Sequence, residues 1–425
     1  MSKIKAIRAR QLLDCKCRPM VEAEVETESG AIGTGSAPTG SSVGSHESFV
    51  LRDNDKGEYG GLSVHLAVNN VIEKIAPALI GMDVEDLRKI DERMIELDGS
   101  FDKHNLGGNA IYSVSIAALR AAAADNNMPV YRYILGRDPH TVPVPTFNVI
   151  NGGKYGDLIQ PFNEFLIVPW KANSIYEAVE MGVKVFSALE QEIPKVTGIS
   201  PMVGRSYGWV APSENPDDIL NLLSHTVKVC GYEGRIAFAM DCASGEMYNK
   251  EDHTYYLFGN RVSSAELVDF TAGLSRKYPL FFIEDLLDED DFDGFKLAHE
   301  KITNSLIIGD DLIASDRARL EKAHAMNAVD GFILKPNQIG TITEAKDTHD
   351  YAVNEGLLSI TSGRSGGVVD DIVMDLAVGY EIGFIKNGAP RSGERISKLN
   401  FLMRACDLAQ GCTLADLSKV ARTNS

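Results

Sequence analysis

Five charged side chains close short apolar runs in the later part of the 425-residue chain: Asp241 after AFAM, Glu284 after LFFI, Asp310 after SLIIG, Lys335 after GFIL and Lys386 after FI. They stand 43, 26, 25 and 51 residues apart, the last interval spanning two units of the same rhythm. Three carboxylates meeting at one place repel unless a cation neutralises them, and a hard, oxygen-liking divalent ion such as Mg²⁺ is the simplest partner. A lysine behind an apolar run and beside positive charge is pushed toward the range of a general base, which makes Lys335 the candidate, with the metal and Lys386 supplying the charge. The set predicts removal of a proton α to a carboxylate, the metal stabilising the doubly charged enolate. Each acid taken singly reads better as a helix cap or loop residue; five at matching strand ends read better as a site.

Such a constellation needs elements that bring strand ends together. After residue 143 short apolar runs alternate with amphipathic helices: 237–241, 280–285, 305–311, 331–337, 357–362 and 384–388 are strand candidates. Parallel strands need crossover connections, and at least six such units suggest a closed β/α barrel, whose strand ends meet at one mouth. Asn215-Pro216-Asp217-Asp218 marks one helix start, with a cap, a first-turn proline and first-turn acids. The run Asp288-Glu289-Asp290-Asp291 lies beyond its strand and reads as a solvated loop. Before residue 140 the pattern is mixed. Residues 4–9 and 20–27 alternate as half-buried strands, 33–47 is rich in turn residues, and 62–78, 84–97 and 107–125 read as helices. The fold class is therefore α/β, a barrel over 141–425 preceded by a smaller α+β unit over 1–140.

Composition removes several function classes. Lys+Arg 42 against Asp+Glu 60 gives a formal charge of −18, the wrong sign for a nucleic-acid footprint. A small anionic substrate remains compatible where local cations or a metal reverse the field. No apolar run reaches 18 residues and no secretory-type leader is present, so neither a membrane span nor export is expected, and the reading is cytoplasmic. Six scattered cysteines predict free thiols rather than a disulfide framework or a zinc site.

The motifs LGGNAI (106–111), PTFNVINGG (145–153), NEFLIVP (163–169), FIEDLLDEDD (282–291), GDDL (309–312), LKPNQIGTITE (334–344) and GRSG (363–366) run almost end to end. Together they resemble the enolase family. The resemblance implies an enolase-type β/α barrel with a smaller N-terminal domain, two Mg²⁺ ions, a phosphorylated three-carbon acid as substrate, and a homodimer or higher homo-oligomer. It implies Asp241, Glu284 and Asp310 as ligands of the first metal and Ser42, in PTGSSVG, as the loop ligand of the second. Lys335 matches the base and Lys386 the lysine at the substrate carboxylate. Arg364 and Ser365 match the phosphate-binding pair, and Glu164 the first of two glutamates near the leaving hydroxyl.

Three positions depart from the family pattern. GRSYGWVAP replaces GDEGGFAP, leaving Tyr207 as the nearest match to the second glutamate. The NGGxHA histidine is Tyr155, and the SHRSG histidine is Gly363, which is expected to leave room for a larger substituent. DCKCRP stands where the family has a DSRGNP-like segment near its dimer contact, which weakens the carry-over of the dimer. The expectation is an enolase-like lyase that still enolises a 2-phosphoglycerate- or phosphoenolpyruvate-like acid, with a changed substrate or leaving group and Tyr207 and Tyr155 as candidate donors. Three alternatives stand beside it: a working phosphopyruvate hydratase, a relative of carboxyphosphonoenolpyruvate synthase, and a non-catalytic binding protein of the same fold.

Overall fold

The computed structural model describes residues 2–40, 43–153 and 160–422. Its N-terminal part is an antiparallel three-stranded sheet, Ile4–Leu13, Pro19–Thr27 and Ile32–Ala37, in chain order. The alternation of VEAEVE gives the sheet two faces. Val21, Ala23 and Val25 are fully buried and share a core with Ile111, Val114, Ala117 and Ala118 of the helix Gly108–Asp125. On the other face Glu24 pairs with Arg8 and Arg10 at 2.8 and 2.7 Å, and Glu26 with Lys5 and Arg8 at 2.6 and 2.8 Å.

The turn-rich reading of 33–47 is corrected at its start, because Ile32–Ala37 is a strand. Its glycines serve close packing: a Cβ on Gly33 or Gly35 would run into the backbone of the helix at Ala117 and Ala121 or at Ser113. Small residues on strand and helix let the two backbones approach. The expected helix over 62–78 is His65–Asn70 and Ala76–Leu79 joined by a π-helical stretch, Val71–Ile75; Leu87–Asp98 is the next helix.

Eight strands close the barrel in the order Val144–Asn151, Glu164–Val168, Ala237–Asp241, Leu280–Glu284, Leu306–Gly309, Gly331–Leu334, Leu358–Ser362 and Phe384–Lys386, the last pairing with the first. All neighbours are parallel except around Glu164–Val168, which runs antiparallel to both of its partners. The six strands expected from the sequence are all parallel to their neighbours in that set, and Glu164–Val168 lies outside it. Leu166, Ala239, Phe282, Ile308, Ile333 and Ile360, from six strands, form one buried cluster, while a larger core lies between strands and covering helices.

The acidic run 288–291 is only partly the solvated loop expected. Asp288 is buried and its N–H donates to Tyr255 Oη at 2.9 Å, while Asp291 caps the helix Phe292–Lys301 by accepting from Gly294 N at 2.8 Å. The cap satisfies a helix N–H that would otherwise lack a partner. Asp290 is exposed, as a loop acid should be. The six cysteines are free thiols, and among the described residues no helix is long and apolar enough to cross a membrane.

Candidate active site at the barrel mouth

The reversed strand explains how Glu164 reaches the site. Its register pairs Glu164, the first residue of that strand, with Asp241, the last of its neighbour, so both arrive at the same rim. Glu284 is also paired with Asp241, from the other side. Lys386 joins all three acids: its Nζ donates to Asp241 Oδ2 at 3.0 Å and to both Glu284 oxygens at 2.7 and 2.6 Å, and lies 3.7 Å from Glu164 Oε2. Lys335 Nζ is paired with Asp310 Oδ2, whose second oxygen accepts from Gln338 Nε2 at 2.9 Å.

Burial sets the electrostatics. Desolvation raises Asp241 above the ordinary carboxylate range against the pull of Lys386, and raises Glu284 further, the Asp241 charge adding to it. At Asp310 burial pushes the same way, but Lys335 and Lys386 outweigh it and hold the group low. Burial and Lys386 pull Lys335 down as expected, but the adjoining Asp310 charge raises it, an effect that a cation on Asp310 would offset. Lys386 is raised more strongly, against burial, by Asp241 and Glu284. A contact carboxylate in a low-dielectric site outweighs two more distant cations because the interaction strengthens as separation falls.

Two further acids adjoin the predicted trio. Asp285 is buried and accepts from the backbone N–H groups of Asp310 and Asp311, each at 2.8 Å. Carboxylate oxygens of Asp285, Asp310 and Asp311 lie within 4.8 Å of one another. Burial, then the Asp310 charge, pushes Asp311 up to about 7; burial, then Asp311 and Asp310, raises Asp285 well above its ordinary value. An all-oxygen donor set under this much mutual repulsion fits a hard divalent cation. The charge of Asp241 and Glu284 is met by Lys386.

Arg364, Ser365 and Gly363 follow the strand Leu358–Ser362 and line the same cavity. The Arg364 guanidinium donates to both oxygens of Glu47 at 2.7 and 3.1 Å; burial lowers its pKa, but Glu47 raises it more. Nearby, Arg18 donates to the carbonyls of Gly40 and Thr39 at 2.9 and 2.6 Å and is itself held by Asp14 at 2.8 Å. The DCKCRP turn therefore braces the loop that leads into the site.

Two sequence assignments change. Tyr207 turns away from the cavity: its hydroxyl donates to the Cys15 carbonyl at 3.3 Å, and burial raises its pKa. Ser206 faces inward instead, its Oγ donating to Glu164 Oε1 at 3.2 Å, while Asn148 Nδ2 donates to the same oxygen at 2.6 Å. The room expected at Gly363 is taken, because a Cβ there would run into Lys398 Nζ. Ser42 and Tyr155 lie outside the described residues.

Sequence reasoning missed Asp285, Asp311, Glu47, Ser206, Arg395 and Lys398. The two aspartates directly follow predicted ligands, and Ser206 emerges if GRSYGW is matched to the family from its left end. Arg395 and Lys398 are spaced i, i+3 on the helix Gly393–Leu408, a spacing that puts both on one face.

Comparison with known proteins agrees with this architecture. Residues 4–134 match the family described as "Enolase, N-terminal domain" and residues 139–419 that described as "Enolase, C-terminal TIM barrel domain". The chain is 41% identical over 399 residues to an enolase of Methanococcus aeolicus, covering 94% of this chain and 93% of that protein. It is 40% identical over 406 residues to one of Bifidobacterium adolescentis (95% and 94%), and 41% over 403 residues to one of Methanocaldococcus jannaschii (95% and 94%). With both halves matched and the barrel mouth furnished with buried acids and lysines, the chain belongs to the enolase family and is a carbon–oxygen lyase of the hydro-lyase class.

Proposed function

We propose that this chain removes the C2 proton of a phosphorylated three-carbon acid such as 2-phosphoglycerate, and that the expulsion of the C3 substituent is served by a different acid set from the family's paired glutamates. The observation that carries the reading is the composition of the mouth. Both lysines stand among Asp241, Glu284 and Asp310, whereas among the described residues Glu164 Oε1 accepts from a serine hydroxyl and an amide.

In this reading Lys335 accepts the proton and Lys386 holds the substrate carboxylate. Asp241, Glu284 and Asp310 would hold Mg²⁺, which would supply positive charge to the site and offset the Asp310 charge that raises Lys335. Arg364 and Ser365 hold the phosphate, and the Glu47 pair fixes the guanidinium plane. Glu164, accepting from Ser206 and Asn148 through Oε1, is the group assigned to the departing substituent. A homodimer or higher homo-oligomer belongs to the same reading.

The test is incubation with 2-phosphoglycerate and Mg²⁺ in D₂O, following both deuterium at C2 by NMR and phosphoenolpyruvate by absorbance. We expect exchange at C2 to outrun net dehydration, and Lys335→Ala to cut exchange by at least ~10²-fold. Absence of exchange in the wild-type protein sinks the proposal. The second reading, a working phosphopyruvate hydratase, is favoured by the 40–41% identity to proteins named enolase over 94–95% of the chain. Dehydration keeping pace with exchange selects it.

A further inference from the structure

We propose that Lys398 is a substrate-binding residue, its ammonium donating to a phosphoryl oxygen held on the 363–365 wall; this deepens, and rests on, the function proposed above. The argument starts from Gly363. Without a side chain it leaves a gap at the strand end, and Lys398 Nζ occupies that gap, entering from the helix Gly393–Leu408 and lining the cavity beside Arg364 and Ser365.

The state of that ammonium points to a ligand. Its side chain is 4% exposed, so it has been taken from water, yet the acids facing it stand off at 3.4 Å (Glu394 Oε2) and 3.6 Å (Asp371 Oδ2). Charge-assisted hydrogen bonds close to about 2.7–2.9 Å. Those two oxygens are buried and accept no hydrogen bond within the described structure. Among the described residues Lys398 is thus balanced in charge but has N–H groups unspent, and a buried ammonium is costly until acceptors reach it. Arg395, on the same face of the helix, is by contrast consumed by Glu394 at 3.1 Å and by Ser206 O at 2.6 Å. Arg364 is committed to Glu47 through two nitrogens. A phosphate arriving at Arg364 and Ser365 finds in Lys398 an ammonium whose hydrogens are still to be placed.

Binding of phosphoenolpyruvate by titration calorimetry in saturating Mg²⁺, with steady-state kinetics on 2-phosphoglycerate, tests this on wild type, Lys398→Met, Lys398→Arg, Gly363→Ala and the Gly363→Ala/Lys398→Met pair. Lys398→Met should weaken binding and raise KM by about 10- to 100-fold, the range for one hydrogen bond to a charged group, with kcat changing less. Lys398→Arg should recover at least a factor of about three of that loss, because it keeps the charge and a hydrogen-bond donor on a long side chain. Gly363→Ala should reproduce the loss by displacing Nζ, and the pair should be no worse than the poorer single variant, because both act on one contact. A purely structural Lys398 would change the melting temperature and leave binding intact. Wild-type affinity in Lys398→Met overturns the proposal, as does a loss confined to kcat. If Lys398→Met does not fold, wild-type affinity in Gly363→Ala overturns it equally. Failure of the wild-type protein itself to bind phosphoenolpyruvate would overturn the proposed function and this inference together.

Discussion

At the scale of single residues, the site turns on which of two adjacent side chains faces Glu164. Tyr207 is the larger and chemically more suggestive, but its backbone adopts φ +65° and its hydroxyl is spent on Cys15. Ser206 carries the contact to Glu164 and is in turn held by Arg395, which donates to its carbonyl at 2.6 Å and its Oγ at 3.2 Å. Ser206→Ala removes a neutral donor from a carboxylate and should lower turnover of 2-phosphoglycerate about 3- to 30-fold. Tyr207→Phe keeps the ring under Arg395 and should leave the rate within about twofold. Parallel kcat/KM measurements on the two variants check the assignment; the opposite order would restore the tyrosine.

Elements position these residues through backbone contacts that side-chain chemistry does not announce. The N-terminal sheet lies so close to the helix Gly108–Asp125 that glycine is required at 33 and 35, where any Cβ meets helix backbone rather than a movable side-chain tip. Gly35→Ala should therefore force strand and helix apart and destabilise the protein by about 1–3 kcal/mol, read as a lowered denaturation midpoint. An unchanged midpoint would show that the contact yields freely. In the barrel the single antiparallel strand does comparable work, since it turns a strand beginning, Glu164, toward the rim where seven other strands end.

The whole molecule holds a concentration of negative charge that its own lysines only partly answer. Asp241, Glu284, Asp285 and Asp311 are all raised by burial, in each case with a neighbouring acid adding to it. A divalent ion bound by the folded state alone stabilises it by mass action, about 2.7 kcal/mol at a hundredfold excess over its dissociation constant. Mg²⁺ should raise the melting temperature, EDTA should reverse the rise, and Asp310→Asn should abolish most of it. A melting temperature indifferent to Mg²⁺ would remove the metal from this account. Arg364–Glu47 and Lys103–Glu344 tie the N-terminal segment to the barrel, so the ion's effect should extend to both parts in one transition.

Periodicity alone made the barrel legible, because a strand-then-helix rhythm has few ways to bury its apolar runs, and the charges closing those runs had to gather at one end. Motif resemblance added roles for Lys335, Lys386, Arg364 and the three acids. Spacing could not show the reversed direction of Glu164–Val168, since strand direction is set by pairing between distant segments. It could not show that Ser206 rather than Tyr207 enters the mouth, because one dihedral angle decides which neighbour turns inward. Nor could it place Lys398, 35 residues from Gly363 along the chain, in the gap that glycine leaves. Residue type fixes what a group is able to do, but proton affinity and direction depend on partners chosen by packing, and Lys335, raised by the Asp310 that folding sets against it, is the clearest instance.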